Sequence, residues 1–313
     1  LQDLKIRNVG PANMSGRITS IDVVTANPKI IYVGAASGGV WKSENGGSAW
    51  TPIFDDQPTQ NIGAVAIQQS KPEVIWVGTG EGNPRNSMNL GAGIFKSIDG
   101  GTSWKFMGLK ATKTIHRIII DPNDHNTVYV GAMGDPFTEN EHRGLYKTID
   151  GGESWTKILF SNTSSGIADL VMDKSNPKKI FAALYEHHRT PYSFVSGGKG
   201  SGLYISEDSG KSWKIIGPEQ GFPEGELGRI GIAIAPSNSK RIYAKVEAKK
   251  NVLYRSDDGG STWMVINENS KFTNNRPFYF QDLAVDTADE DRLYNIYQPL
   301  SVSYNGGKTF DTT

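Results

Sequence analysis

An all-β propeller of four-stranded blades is the architecture this chain predicts, on three observations. A short box recurs six times at intervals of about 50 residues. The stretches between boxes repeat one order of short apolar strands and Pro/Asn/Asp/Ser turns. The 313 residues include 36 glycines and no long segment with a 3.6-residue apolar period, so little helix is expected.

The box runs Ser/Thr, any residue, Asp/Asn, any residue, Gly, two more residues and an aromatic. Its copies are Ser43–Asn45–Trp50, Ser97–Asp99–Trp104, Thr148–Asp150–Trp155, Ser206–Asp208–Trp213, Ser256–Asp258–Trp263 and Ser303–Asn305–Phe310. The repeats occupy approximately 12–55, 61–109, 115–160, 167–218, 228–268 and 278–313, within one propeller domain over 1–313.

Each repeat opens on an apolar strand: Ile21–Val24, Ala64–Ile67, Ile118–Ile120, Asp169–Met172, Ile230–Ile234 and Asp282–Val285. A turn follows, as at Asn27–Pro28 or Asn176–Pro177, built from residues that fix φ or bond their own backbone. The second strand carries one aromatic at a fixed place: Tyr32, Trp76, Tyr129, Phe181, Tyr243 and Tyr294. The third enters the box with another: Trp41, Phe95, Tyr146, Tyr204 and Tyr254. The fourth leaves it from the box aromatic.

The box reads as hairpin chemistry. Gly-Gly after the Asx residue supplies the positive φ of a tight turn. The Asx and Ser/Thr side chains can accept turn N–H groups, and the Trp can fill the gap between blades. A carboxylate repeated in every blade is structural, whereas a catalytic pair would occur once. By the same logic Trp41 and Trp76 fill repeat slots rather than forming sugar platforms.

Residues 1–11 resemble a fourth strand and are a candidate ring-closing strand for the sixth repeat, which has little chain left after Phe310. Otherwise the chain is a portion of a larger propeller. Leu1 in place of Met, with no leader, points to a processed or trimmed chain.

Composition narrows the function. Lys plus Arg and Asp plus Glu balance at 33 each, unlike a nucleic-acid binder. Without cysteine there is no disulfide framework, thiolate zinc site or cysteine nucleophile. No apolar run of about eighteen residues is available to span a membrane. Neither a Ser-His-Asp nor a phosphate-loop signature is present.

Function belongs where the repeats differ. Three consecutive repeats carry long links between strands two and three: 80–93, 133–143 and 185–201. Successive links alternate between the faces of the disc, so these loops share the face opposite the boxes, where binding residues concentrate. Links between blades reach the same face, including 221–226 and 272–277 with Asn274, Asn275 and Arg276.

The sector holds the carboxylates Glu81, Asp135 and Glu186 as catalytic candidates, and Arg85, Glu139, His142, Arg143, His187, His188, Arg189 and Tyr192 as ligand-binding candidates. Glycoside cleavage needs two carboxyl groups about 5–10 Å apart. A sialidase would want arginines over the central well, and Arg17, Arg117 and Arg229 lie near the first strands. His187 and His188 could bind a metal with Glu186 or Glu139. Adjacent residues of an extended segment point opposite ways, however, so no metal or cofactor is expected.

The boxes resemble those of Asp-box, or BNR, propellers: sialidases, xyloglucanases, sortilin-type receptors and photosystem II assembly factors. Five of the six match in full. The stretches 8–17, 36–42, 78–86, 189–194 and 276–280 resemble the large secreted sortilin-like BNR-repeat proteins of bacteria, often labelled glycosyl hydrolases. Those proteins are longer, so the resemblance implies that a further C-terminal part belongs to the same parent chain. Xyloglucanase-type propellers place an Asp before a Gly-Gly in the first repeat; here the stretch is Ala35-Ala36-Ser37-Gly38-Gly39, with no carboxylate. The expectation is therefore a secreted or cell-surface non-catalytic propeller that binds a protein, peptide or polysaccharide through blades 2–4. The alternatives are a glycoside hydrolase using loop carboxylates and an assembly scaffold.

Overall fold

The computed structural model describes residues 17–268, 270–273, 276–296 and 300–312. The opening segment 1–11, the first part of the stretch 8–17, and Asn274 and Asn275 lie outside the described residues. Six antiparallel sheets form six blades in a ring, and among the described residues the helical content is two 3₁₀ turns, Lys110–Thr112 and Pro218–Gln220.

Within each blade the strands pair in sequence order. The inner strands are Ile18–Val23, Ile62–Ile67, Ile115–Ile120, Ser165–Met172, Ile230–Ala235 and Leu283–Val285. Their register explains the aromatic slots: Tyr32, Trp76, Tyr129, Phe181, Tyr243 and Tyr294 all stand on second strands. In blade 2 burial falls from axis to rim. All of Ile62–Ile67 is buried, whereas both residues of Lys105–Phe106 in the same blade are exposed. Apolar runs therefore suit the inner strands, and short polar ones suit the rim.

The fourth place in blade 6, which the sequence leaves to segment 1–11 or to a longer array, is taken by Asp311–Thr312. This strand pairs with Val302 and Ser301. The segment 185–201, read as a loop, is instead strand and hairpin. The second strand of blade 4 runs Ile180–Arg189 and returns as Phe194–Ser196. The Thr190–Ser193 turn, with Pro191 at its second position, lets the ladder continue: Thr190 N–H donates to Ser193 O at 2.9 Å.

Each box is a hydrogen-bonded knot. In blade 2, Ser97 Oγ donates to Asp99 Oδ1 at 2.8 Å and accepts from Gly101 N at 2.9 Å. Asp99 Oδ1 and Oδ2 then accept from Ser103 N and Oγ. The pattern recurs from Ser43–Asn45 to Ser303–Asn305. These bonds, led by the one from Ser103 Oγ, hold the exposed Asp99 carboxyl down at about 2. The two residues after each Asx are left-handed; five boxes have Gly-Gly there, and blade 4 has Ser209 at φ 63° before Gly210.

The box tryptophans of blades 2 and 3 pin each of those blades to the one before it. Trp104 Nε1 donates to Ile53 O and Trp155 Nε1 to Met107 O, both at 2.7 Å. Inner-strand aspartates tie forward: Asp22 accepts from Ile67 N, and Asp169 from Ile232 N, both at 2.8 Å. The core is a set of apolar layers between consecutive blades, from blades 1 and 2 round to blades 5 and 6. Among the described residues no such layer joins blades 6 and 1, and Ile18 and Ile21 of blade 1 are exposed there.

Candidate functional site at the loop-rich mouth

Inner strands begin on the face that carries the long links, so their first residues ring the mouth of the central channel. Four charged tethers meet there. Arg17 donates through Nε and Nη2 to both carboxylate oxygens of the fully buried Glu81. Arg117 of blade 3 donates through Nε to Asp169 of blade 4 at 2.7 Å and through Nη2 to Asp282 of blade 6, crossing the axis. Arg229 of blade 5 reaches Asn83 Oδ1 at 2.7 Å, His116 Nε2 at 2.9 Å and Phe278 O at 2.9 Å. Lys245 donates to Phe280 O at 2.7 Å and Asn295 Oδ1 at 2.9 Å.

These neighbours set the proton affinities. Burial pushes the Asp282 carboxyl up, yet the charges of Arg117 and Arg229 outweigh it and hold the group below the usual carboxylate range. Burial drops Lys245 to about 8. Burial, with the charges of Arg117 and Arg229, keeps His116 well below the ordinary histidine value.

The carboxylates singled out from sequence fall into different settings. Glu81 is engaged by Arg17. Glu186 accepts from Asn162 Nδ2 at 3.1 Å and Gly200 N at 2.8 Å, which holds the blade 4 hairpin against its neighbouring loop. Asp135 is half-buried; its carboxylate takes the Phe137 N–H at 2.9 Å. Glu139 is exposed and accepts from Thr163 Oγ1.

Arg143 is buried beneath the blade 3 loop, donating to Ser164 O at 2.8 Å and to the carbonyls of Asp135 and Thr138. Burial lowers it to about 10. His187 is buried and stacked on Tyr185 at 5.0 Å, while its neighbour His188 is half-exposed on the other side of the strand. His142 is exposed, with its carbonyl accepting from Tyr146 Oη. Tyr192 stands 91 % exposed at the hairpin tip. Among the described residues no three His, Asp or Glu side chains gather as a metal cluster.

A cleft opens on this face. It encloses about 480 Å³ between Pro84–Asn86 of blade 2, Arg189 of blade 4 and Arg276, Phe278, Tyr279 and Phe280 before blade 6. Arg85 and Arg189 belong to the residues picked from sequence, and the structure joins them with Arg276. Sequence reasoning missed Asp169, Asp282, His116 and the 278–280 aromatics as parts of the mouth. The available signal was the polar residue at the start of an otherwise apolar inner strand.

The sequence profile of the family described as "Sortilin-Vps10: Sortilin, neurotensin receptor 3" matches residues 92–220. A xyloglucanase of a Paenibacillus species is 23 % identical, covering 97 % of this chain and 32 % of the relative. Xyloglucanase Xgh74A of Acetivibrio thermocellus is 24 % identical, over 84 % of this chain and 33 % of its own length. These relatives are named for hydrolysis. The chain spans about a third of the length of the curated relatives it matches. Among solved structures, an ancestral GH74 enzyme superposes with a TM-score of 0.67 at 20 % identity, covering 94 % of this chain and 35 % of the other, which is a likeness of fold. The expected non-catalytic binding propeller is thereby corrected. Relatives that align along almost the whole chain are glycoside hydrolases by name, including through the first repeat, whose lack of a carboxylate had argued against hydrolysis.

Proposed function

We propose that this chain is part of a glycoside hydrolase that cleaves a glucan-type polysaccharide lying across the loop-rich mouth. The observation that supports this reading most is the alignment of 97 % of the chain with a xyloglucanase. Such a substrate is met outside the cell, so the reading includes secretion or surface display.

The chemistry needs one carboxyl to protonate the leaving oxygen and one carboxylate to act as base or nucleophile. Asp282 suits the second role. It is 36 % exposed at the mouth, and Arg117 and Arg229 hold it ionised. Asp135, half-buried on the blade 3 loop, is the proton-donor candidate. Glu81 and Glu186, bound by Arg17 and by Asn162 with Gly200, hold the walls of the mouth and take no part in the chemistry of this scheme.

The test is release of reducing ends from xyloglucan and related β-glucans by the full-length protein. Asp282→Asn and Asp135→Asn should each lower turnover about 100-fold or more while the protein is still retained on the polysaccharide. No release from any glucan, or release that both variants leave unchanged, would refute the proposal.

A further inference from the structure

We infer that the cleft between blades 2, 4 and 6 is a binding site for the carboxylate of an acidic saccharide, so the glucan handled here carries uronate side groups, for which polygalacturonate is the probe. The argument starts from which arginines are already engaged. Arg17 and Arg117 hold carboxylates at the mouth. Arg143 and Arg229 are bonded to carbonyls and side-chain acceptors. Arg241, Arg255 and Arg292 pair with aspartates at the rim.

Arg85, Arg189 and Arg276 differ. Among the described residues none of them has a carboxylate partner, which is what sets them apart; the buried, unpartnered Nε of Arg85 and of Arg189 is shared with Arg143, Arg255 and Arg292. All three line the same cleft, whose lining contains no acidic residue. In a chain of zero net charge this is a local concentration of cation, not general basicity.

The cleft is also shaped. The Arg189 guanidinium lies 5.0 Å over the Phe194 ring, and Phe194 packs edge-on against Phe278 at 5.0 Å, so blades 4 and 6 share one aromatic wall. Tyr279 and Phe280 continue it, with their rings 4.8 Å apart. Arg276 holds a left-handed φ of 47° ahead of Pro277, and its carbonyl accepts from Tyr279 N and Phe280 N, closing a tight turn. A non-glycine residue kept there by its surroundings marks a constrained loop.

Planar guanidinium forks match carboxylates in a bidentate manner, and the aromatic wall offers apolar faces to a sugar ring. The saccharide part of this inference rests on the hydrolase reading above; the anionic part rests on the three arginines.

The experiment is calorimetric titration of the full-length protein with polygalacturonate, its methyl ester, neutral xyloglucan, dextran sulfate and an acidic peptide. Polygalacturonate should bind, and esterification should weaken it about ten-fold or more. Arg85→Gln, Arg189→Gln and Arg276→Gln should each cost a similar factor, with tightness declining as salt rises. Equal affinity for acid and ester, undiminished binding by the triple variant, or preference for the sulfate or the peptide would each overturn the inference. Cleavage of xyloglucan without acid preference would refute this site and leave the hydrolase standing. Binding of polygalacturonate with no glycan cleaved would do the reverse.

Discussion

Glu81 shows what a single carboxylate does when it leaves water. Its side chain is fully buried and gripped by Arg17 at both oxygens, so removing its charge strands the guanidinium against a neutral amide. Glu81→Gln should lower unfolding stability by about 3 kcal/mol, read by urea denaturation, and leave turnover per folded molecule unchanged. A shift below about 1 kcal/mol together with lost turnover would make Glu81 catalytic instead. The buried histidines predict a pH dependence. His116 and His187 have folded proton affinities well below the unfolded value of about 6.5. Below that pH the unfolded chain binds protons that the folded one refuses, so stability is full above about pH 6.5 and falls as pH drops. The slope is up to about 1.4 kcal/mol per pH unit for each histidine. Urea midpoints at pH 7 and 5 check it, and His116→Gln should flatten the profile.

At the scale of the hairpin, five boxes place Gly where blade 4 places Ser209 at φ 63°. A side chain there meets the following carbonyl, so Ser209→Gly should raise stability by up to about 1 kcal/mol. Thermal unfolding of this variant tests the turn conformation, and a loss of stability would contradict it. Between blades, Trp76 is fully buried on a second strand, edge-on to the box Trp155 of blade 3 at 6.2 Å and beneath the Lys96 ammonium. Trp76→Ala should cost about 3–5 kcal/mol without changing the ligand specificity of the opposite face, measured by denaturation and binding together.

Across the whole ring, the Arg117–Asp282 bond joins blades on opposite sides of the axis. Blade 6 depends on it more than the others do. Its inner strand Leu283–Val285 is nowhere fully buried, whereas Ser165–Met172 is buried at nearly every position. Amides of blade 6 should therefore exchange faster than those of blade 4, and Arg117→Leu should widen that difference by freeing blade 6 first. Hydrogen exchange resolved by blade measures this, and uniform acceleration around the ring would show that the axial bond has no such local role.

The six blades, the box turns and the aromatic slots were legible from sequence because each depends on contacts within one repeat. A Ser, an Asx and two glycines make their knot wherever they occur, and alternation along a strand is set by the backbone. Only part of the mouth was legible. Arg85 and Arg189 stood out as loop residues, but nothing local distinguished Glu81, locked by Arg17, from Asp282, left partly open. The hairpin at Arg189–Phe194 hid behind a turn sequence that reads equally as loop. The chain by itself determined an all-β propeller and the face on which its irregular loops gather. Tertiary structure alone decided which charges neutralise each other and which remain unpaired, because the partners stand up to 165 residues apart and meet only when the ring brings the inner-strand ends to one axis.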